Sequence, residues 1–167
     1  MEDQQKWQRA SAAAFQTYRL LSGDARDALN ALISSIMQLK QELFELALVA
    51  GGGDICRTCG GQCCLNGKYH VTVLDLLAYR AAGVEPVQPD FGKRPLCPYG
   101  GGEGCLMEPR FRSLTCLLFN CELLEERMDT ESKQRFATVE QELRRAVTQA
   151  DTLLGCRAGR ALLLSCE

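Results

Sequence analysis

Excess charge of either sign, long apolar runs, low-complexity linkers and internal repeats are all missing from this chain, and each absence removes a class of explanation. Lysine and arginine number 19 against 21 for aspartate and glutamate, a formal net charge of -2. No electrostatic surplus therefore draws the protein to nucleic acid or to an anionic membrane surface. The longest apolar stretches, such as LALVA at 46–50, fall far short of the roughly 20 residues that cross a bilayer. The amino terminus, MEDQQKWQRASAAAFQ, carries acidic and amide residues where an export signal needs a basic start and an apolar core, so a cytoplasmic protein is expected. No glycine-rich nucleotide fingerprint follows a strand, and no alternation of strands and helices points to a methyl-donor fold, which argues against self-sufficient catalysis. There is one histidine, His70. A lone histidine just before a helix reads as a polar residue at a strand end rather than as a metal ligand.

What the chain has is cysteine. Ten occur in 167 residues, a length that supports a single domain with its own core. Eight of the ten lie between 56 and 121, with spacings C-x2-C-x3-C-C at Cys56, Cys59, Cys63 and Cys64, then Cys97, Cys105, Cys116 and Cys121. In a reducing compartment, clustered thiols ligate metal more often than they form structural disulfides. A C-x2-C pair is a tight turn that aims two thiolates at one centre, and glycines such as Gly60, Gly61 and Gly67 permit the sharp backbone turns around it. Adjacent Cys63 and Cys64 point to opposite sides of an extended chain, so one site and two sites both remain open. Cys156 and Cys166 lie in the leucine-rich end, outside the cluster, and read as small hydrophobes of the core. Arg110 and Arg112 either offset thiolate charge or belong to a solvated loop. Tyr69 and Tyr99 read as packing residues with surface hydroxyls.

The flanks read as helix. From Asp24 as N-cap, Leu29, Leu32, Ile36, Leu39, Leu43, Leu46 and Ala50 alternate gaps of three and four, and the Gly51-Gly52-Gly53 run ends the series near residue 50. Phe136, Val139, Leu143, Ala146, Ala150 and Leu153 repeat the pattern, with Thr130 and Ser132 as caps. An earlier helix at about residues 4–21, with Trp7, Phe15, Tyr18 and Leu21, completes a three-helix bundle. Within the cysteine region, HVTVLDLLAYRAAG predicts a short extended segment at His70-Val71. A helix capped by Thr72 then follows, with Asp75 at its third position, and ends at Gly83.

The fold expected is mainly α: one domain over 1–167, in which N-terminal helices (1–50) and a C-terminal helical segment (130–167) form an antiparallel hairpin. It carries a loop-dominated metal-binding head at 54–125. Heptad pairing of these helices between two copies is the alternative, so monomer and homodimer both stand.

The run from Cys56 to Cys64, the Thr72 to Asp75 helix start, Cys97-Pro98-Tyr99, and Gly104-Cys105 through Arg112 to Cys116 resemble the YkgJ-like cysteine-cluster family. That family is described as a zinc- or iron-chelating domain, and it is similar to the cysteine-cluster region of the flagellin lysine N-methylases, where an iron-sulfur cluster is implied. Carried over position by position, the resemblance implies metal ligands among Cys56, Cys59, Cys63, Cys64, Cys97, Cys105 and Cys116, with Cys121 in addition. One departure is Arg112-Ser113, which stands where the family has Arg-Pro. Four thiolates suit zinc and iron alike, and the resemblance favours an iron-sulfur cluster over Zn2+. The function expected is a metal-binding redox or accessory module for a protein partner. The alternatives are a zinc-stapled helical interaction module and a component of a lysine methylase-like enzyme.

Overall fold

Runs of strong helix formers, broken by caps rather than by long linkers, make most of the chain helical. A computed structural model describes residues 2–58, 64–65, 67–93, 95–102 and 104–164. The long helices are α1 (Glu2–Leu20), α2 (Gly23–Val49) and α7 (Thr130–Leu154). Between α2 and α7 come α3 (Gly52–Thr58), α4 (Val73–Ala82), α5 (Leu114–Leu118) and α6 (Glu122–Arg127). Strand among the described residues is confined to a two-residue ribbon, β1 (Gly100–Gly101) antiparallel to β2 (Gly104–Cys105), with Gly100 opposite Cys105. The fold is mainly α, and among the described residues no helix is long and apolar enough to cross a membrane.

The strongest packing is α2 against α7. Helix α7 buries Phe136, Val139, Leu143, Ala146 and Ala150, the series read from its period, and leaves Leu153 half-buried. Two contacts fix the relative direction: Arg135 Nε meets Glu42 Oε1 at 2.5 Å, and a Cβ placed on Gly51 would stand 3.1 Å from Arg127 Nη1. Moving forward on α2 means moving backward toward α7's start, so the pair is antiparallel.

On α2 the buried stripe is Leu29, Ile33, Ile36, Lys40 and Leu43. It shares Leu29, Ile36 and Leu43 with the expected seam but takes Ile33 and Lys40 where Leu32 and Leu39 were expected, and those leucines are half-buried beside it. The reason lies across the interface. Lys40 Nζ donates to Asp75 Oδ1 at 2.5 Å, with side chains 2% and 3% exposed, and this buried pair turns the helix face toward α4.

Caps are displaced by one or two residues from their expected sites. Ser22, not Asp24, caps α2, its hydroxyl accepting from the Ala25 amide at 3.3 Å. Asp129, not Thr130 or Ser132, caps α7, accepting from the Ser132 amide at 2.7 Å. That hydrogen bond holds its carboxyl below the usual range. The capping box of Thr72 and Asp75 on α4 forms as expected, and Gly83 closes α4 at φ +66°. The glycine run ends α2 at Val49, but only Gly51 (φ +84°) acts as a breaker. Gly52 and Gly53 open α3, because a Cβ on Gly52 would stand 2.7 Å from the Ala47 carbonyl oxygen and glycine alone lets the chain fold back so closely.

Two expectations about arrangement are corrected. Helix α1 does not complete a bundle with α2 and α7. Its main contacts are with α4 and the Leu162–Leu164 turn, burying Trp7, Ala10, Ala14 and Tyr18. The cysteine-bearing region, short helices joined by turns and loops, likewise does not stand apart from the core at one end. It contributes α4, whose Leu74, Leu76, Leu77, Ala78 and Tyr79 are core residues, and Phe111, which is fully buried and stacks on Tyr79 at 4.1 Å between ring centroids. The Pro109–Phe111 turn packs along α2. Of the segment expected to be extended, His70 instead closes a turn, its amide donating to the Gly67 carbonyl oxygen at 3.1 Å, while Val71 accepts from the Leu162 amide at 2.7 Å and Thr72 bridges antiparallel to Ala161.

Candidate metal centre

The expected ligands fall on separate elements. Cys56 lies on α3 and is exposed, Cys64 is exposed, Cys97 is buried in the turn before β1, and Cys105 is exposed on β2. Cys116 lies on α5 and Cys121 precedes α6 as its N-cap, half-buried. Cys59 and Cys63 lie outside the described residues, as does Cys166. Cys156, expected in the core, is exposed just beyond the Gly155 cap, where the chain folds back along α7 and buries Ala158 instead.

Four of these thiols share a neighbourhood. A Cβ on Gly67 would fall 2.4 Å from Cys97 Sγ, so the Cys97 turn is seated directly on the segment that follows Cys64. Solvent reaches Cys116, yet it sits in a recess dense with protein, and that burial pushes its thiol up. The negative fields of Cys105, Cys97, Asp75 and Cys64 add to the effect. His70 joins them, its Nδ1 3.3 Å from Cys116 Sγ, with burial lowering its pKa and favouring the neutral imidazole. Cys56 and Cys121 ride on α3 and α6, helices that pack on each other, and neither is among the main thiols acting on Cys116.

Three side-chain contacts tie these segments to the rest of the fold. Ser113 Oγ donates to the His70 carbonyl oxygen at 2.6 Å and also accepts from the Thr115 amide at 3.3 Å, so this serine caps α5 while fixing His70. Serine at this position thus supplies a tether that proline could not. Trp7 Nε1 donates to Tyr99 Oη at 2.9 Å, pinning α1 to the Cys97 turn. Tyr99 is buried, not a surface hydroxyl, and burial raises its pKa. Asp3 meets Lys68 Nζ at 3.0 Å, a bond that raises the lysine's pKa and brings the start of α1 to the 67–69 turn. Tyr69 is exposed beneath the Lys68 ammonium.

The two arginines are engaged locally. Arg110 pairs with Glu108 at 2.9 Å and lies over the Phe111 ring. Arg112 donates to the Met107 carbonyl oxygen at 2.9 Å and covers Phe44. His70 is the residue that sequence reasoning set aside and the fold brings to the thiols. No local signal marks it, because its contact with Cys116 comes from a segment 46 residues away.

Among the described residues no two cysteines are joined by a disulfide, and no group of three or more histidine, cysteine, aspartate or glutamate side chains stands at metal-holding distances. The donor chemistry in the neighbourhood, thiols with one imidazole, nevertheless suits a thiophilic cation. Compared with family models, curated proteins and solved structures, the chain matches none.

Proposed function

We propose that this is a metal-binding protein in which Cys64, Cys97, Cys105 and Cys116, with Cys59 and Cys63 of the first motif, hold an iron-sulfur cluster or Zn2+. The observation that carries this reading is the convergence of thiols from separate segments: Cys97 is seated on Gly67, and Cys116 lies within the fields of Cys64, Cys97 and Cys105. The cysteine-cluster resemblance supports the same donors. A cluster would supply one-electron chemistry to a protein partner, and the role of this chain's residues is to bind and orient it. Gly67 leaves room for the Cys97 sulfur, and the His70–Ser113 tether holds the start of α5 against the His70 segment.

A second reading, zinc as a structural staple, is favoured by His70 beside Cys116, because three thiolates and one imidazole form a common closed zinc site. Elemental analysis and visible absorbance on protein prepared without oxygen separate the two. Iron with sulfide and broad visible absorbance supports the cluster, and colourless protein with stoichiometric zinc supports the staple. Neither metal at meaningful occupancy overturns both.

A further inference from the structure

Beside α5, and independent of any metal, a groove of about 600 Å³ runs between the α5–α6 segment and α7. Its floor is apolar, formed by Leu118, Met128, Phe136 and Ala137. Its rim is acidic. Glu122, Glu125 and Glu126 line one wall and Glu140 the other, with Lys133 as the one cation among the lining residues.

The charges on α6 are unusual for so short a helix. Positions 122, 125 and 126 are spaced i, i+3, i+4, so the three exposed carboxylates share a face and repel one another, which weakens a helix in isolation. Glu140 is held by Arg144 at 2.7 Å, so the surplus negative charge lies on α6. On the opposite wall the lining residues of α7 are 133, 136, 137 and 140, a stripe of i, i+3, i+4, i+7. Seven residues at about 1.5 Å each make this wall about 10 Å long, two helical turns.

We propose that this groove docks a short amphipathic helix of a protein partner, one that places two or three aliphatic side chains on Leu118, Phe136 and Ala137 and flanks them with lysine or arginine facing Glu122, Glu125 and Glu126. The wall has the two-turn length of a helix laid in a groove, and Phe136 and Ala137 at its centre, with Leu118 and Met128, give an apolar floor for adjacent anchors of that helix. The one-sided acidic rim selects a basic partner and speeds its encounter. The volume lies within the range of side-chain-accepting clefts.

The test is fluorescence anisotropy with a labelled basic helical peptide carrying leucines at that spacing, beside a twin in which every lysine is replaced by glutamate. The basic peptide should bind at low ionic strength and weaken at high salt, and the acidic twin should not bind. The combined substitution Glu122→Gln, Glu125→Gln and Glu126→Gln should weaken binding at least about tenfold, as should Ala137→Arg, which occupies the floor. All four positions are exposed, so circular dichroism should report an unchanged fold. Absence of binding at high micromolar protein, equal binding of the acidic twin, or insensitivity to Ala137→Arg would each overturn the proposal. Concentration-dependent self-association that Ala137→Arg abolishes would assign the groove to a second copy of the chain and also overturn it.

Discussion

Single residues set the spacing of the thiol-bearing loops, and Gly67 does so most directly. Any side chain there collides with Cys97 Sγ, since even a Cβ would approach to 2.4 Å. Gly67→Ala should therefore push the Cys97 turn away, costing about 1–3 kcal/mol of stability by overpacking, and lowering metal content together with the denaturation midpoint. Tyr79 shows the opposite condition, a polar atom with too little to bind. Its hydroxyl is buried and has no hydrogen-bond partner among the described residues, although the Val87 amide lies near enough to temper the shift. Burial, aided by the field of Cys105, pushes its pKa up to about 12. Because the raised value means that ionisation favours the unfolded chain, this residue's contribution is intact below the unfolded value of about 10 and is lost as pH rises toward 12. Tyr79→Phe should match or slightly exceed the parent at pH 7, within about 1 kcal/mol. Its advantage should then widen by about 1–2 kcal/mol between pH 10 and 12, measured by urea unfolding at each pH.

At the scale of elements, the Lys40–Asp75 pair joins the middle of α2 to the capping box of α4. Asp75 accepts from Lys40, from the Thr72 amide and from the Thr72 hydroxyl, the last two at 2.8 Å. Removing the cation alone strands a buried carboxylate, so Lys40→Met should cost about 3–5 kcal/mol. Adding Asp75→Asn to Lys40→Met should recover part of that loss, and a double-mutant cycle by chemical denaturation measures the coupling. On α7, Leu143→Ala should cost about 2–5 kcal/mol, since Leu143 is fully buried against α2. How legible each element was depends on where its determinants lie. The stripe of α7 is apolar throughout and its period alone finds it. The stripe of α2 contains Lys40, which any hydrophobicity rule sends to solvent, and only the partner Asp75, 35 residues away, brings it inside. The α4 helix was readable to its last residue because Thr72, Asp75 and Gly83 are local signals. The placement of α1 was not, because Trp7 finds Tyr99 across 92 residues. In the candidate site, the cysteine spacings mark the segments that carry the thiols, whereas the positions of His70, Gly67 and Ser113 depend on contacts between those segments.

In the whole molecule, the cysteine region is woven into the core through α4 and Phe111, while its thiol-bearing loops lie against the start of α1. That division predicts what removing the proposed metal would do. Chelation should speed amide exchange around residues 100–112 and in the 67–69 turn, yet leave α2 and α7 protected, because these helices bury Leu29, Ile36, Val139 and Leu143 and carry no cysteine of their own. Collapse of protection along α7 as well would mean that the metal site and the helix pair form one cooperative unit. The central claim, that thiols from distant segments surround one cation, is tested most directly by X-ray absorption at the metal edge on protein prepared without oxygen. The account predicts a first shell dominated by sulfur, at about 2.3 Å if the metal is zinc, with a sulfur lost in Cys97→Ser and none lost in Cys156→Ser. A first shell of oxygen and nitrogen alone, or one unchanged by Cys97→Ser, would contradict it.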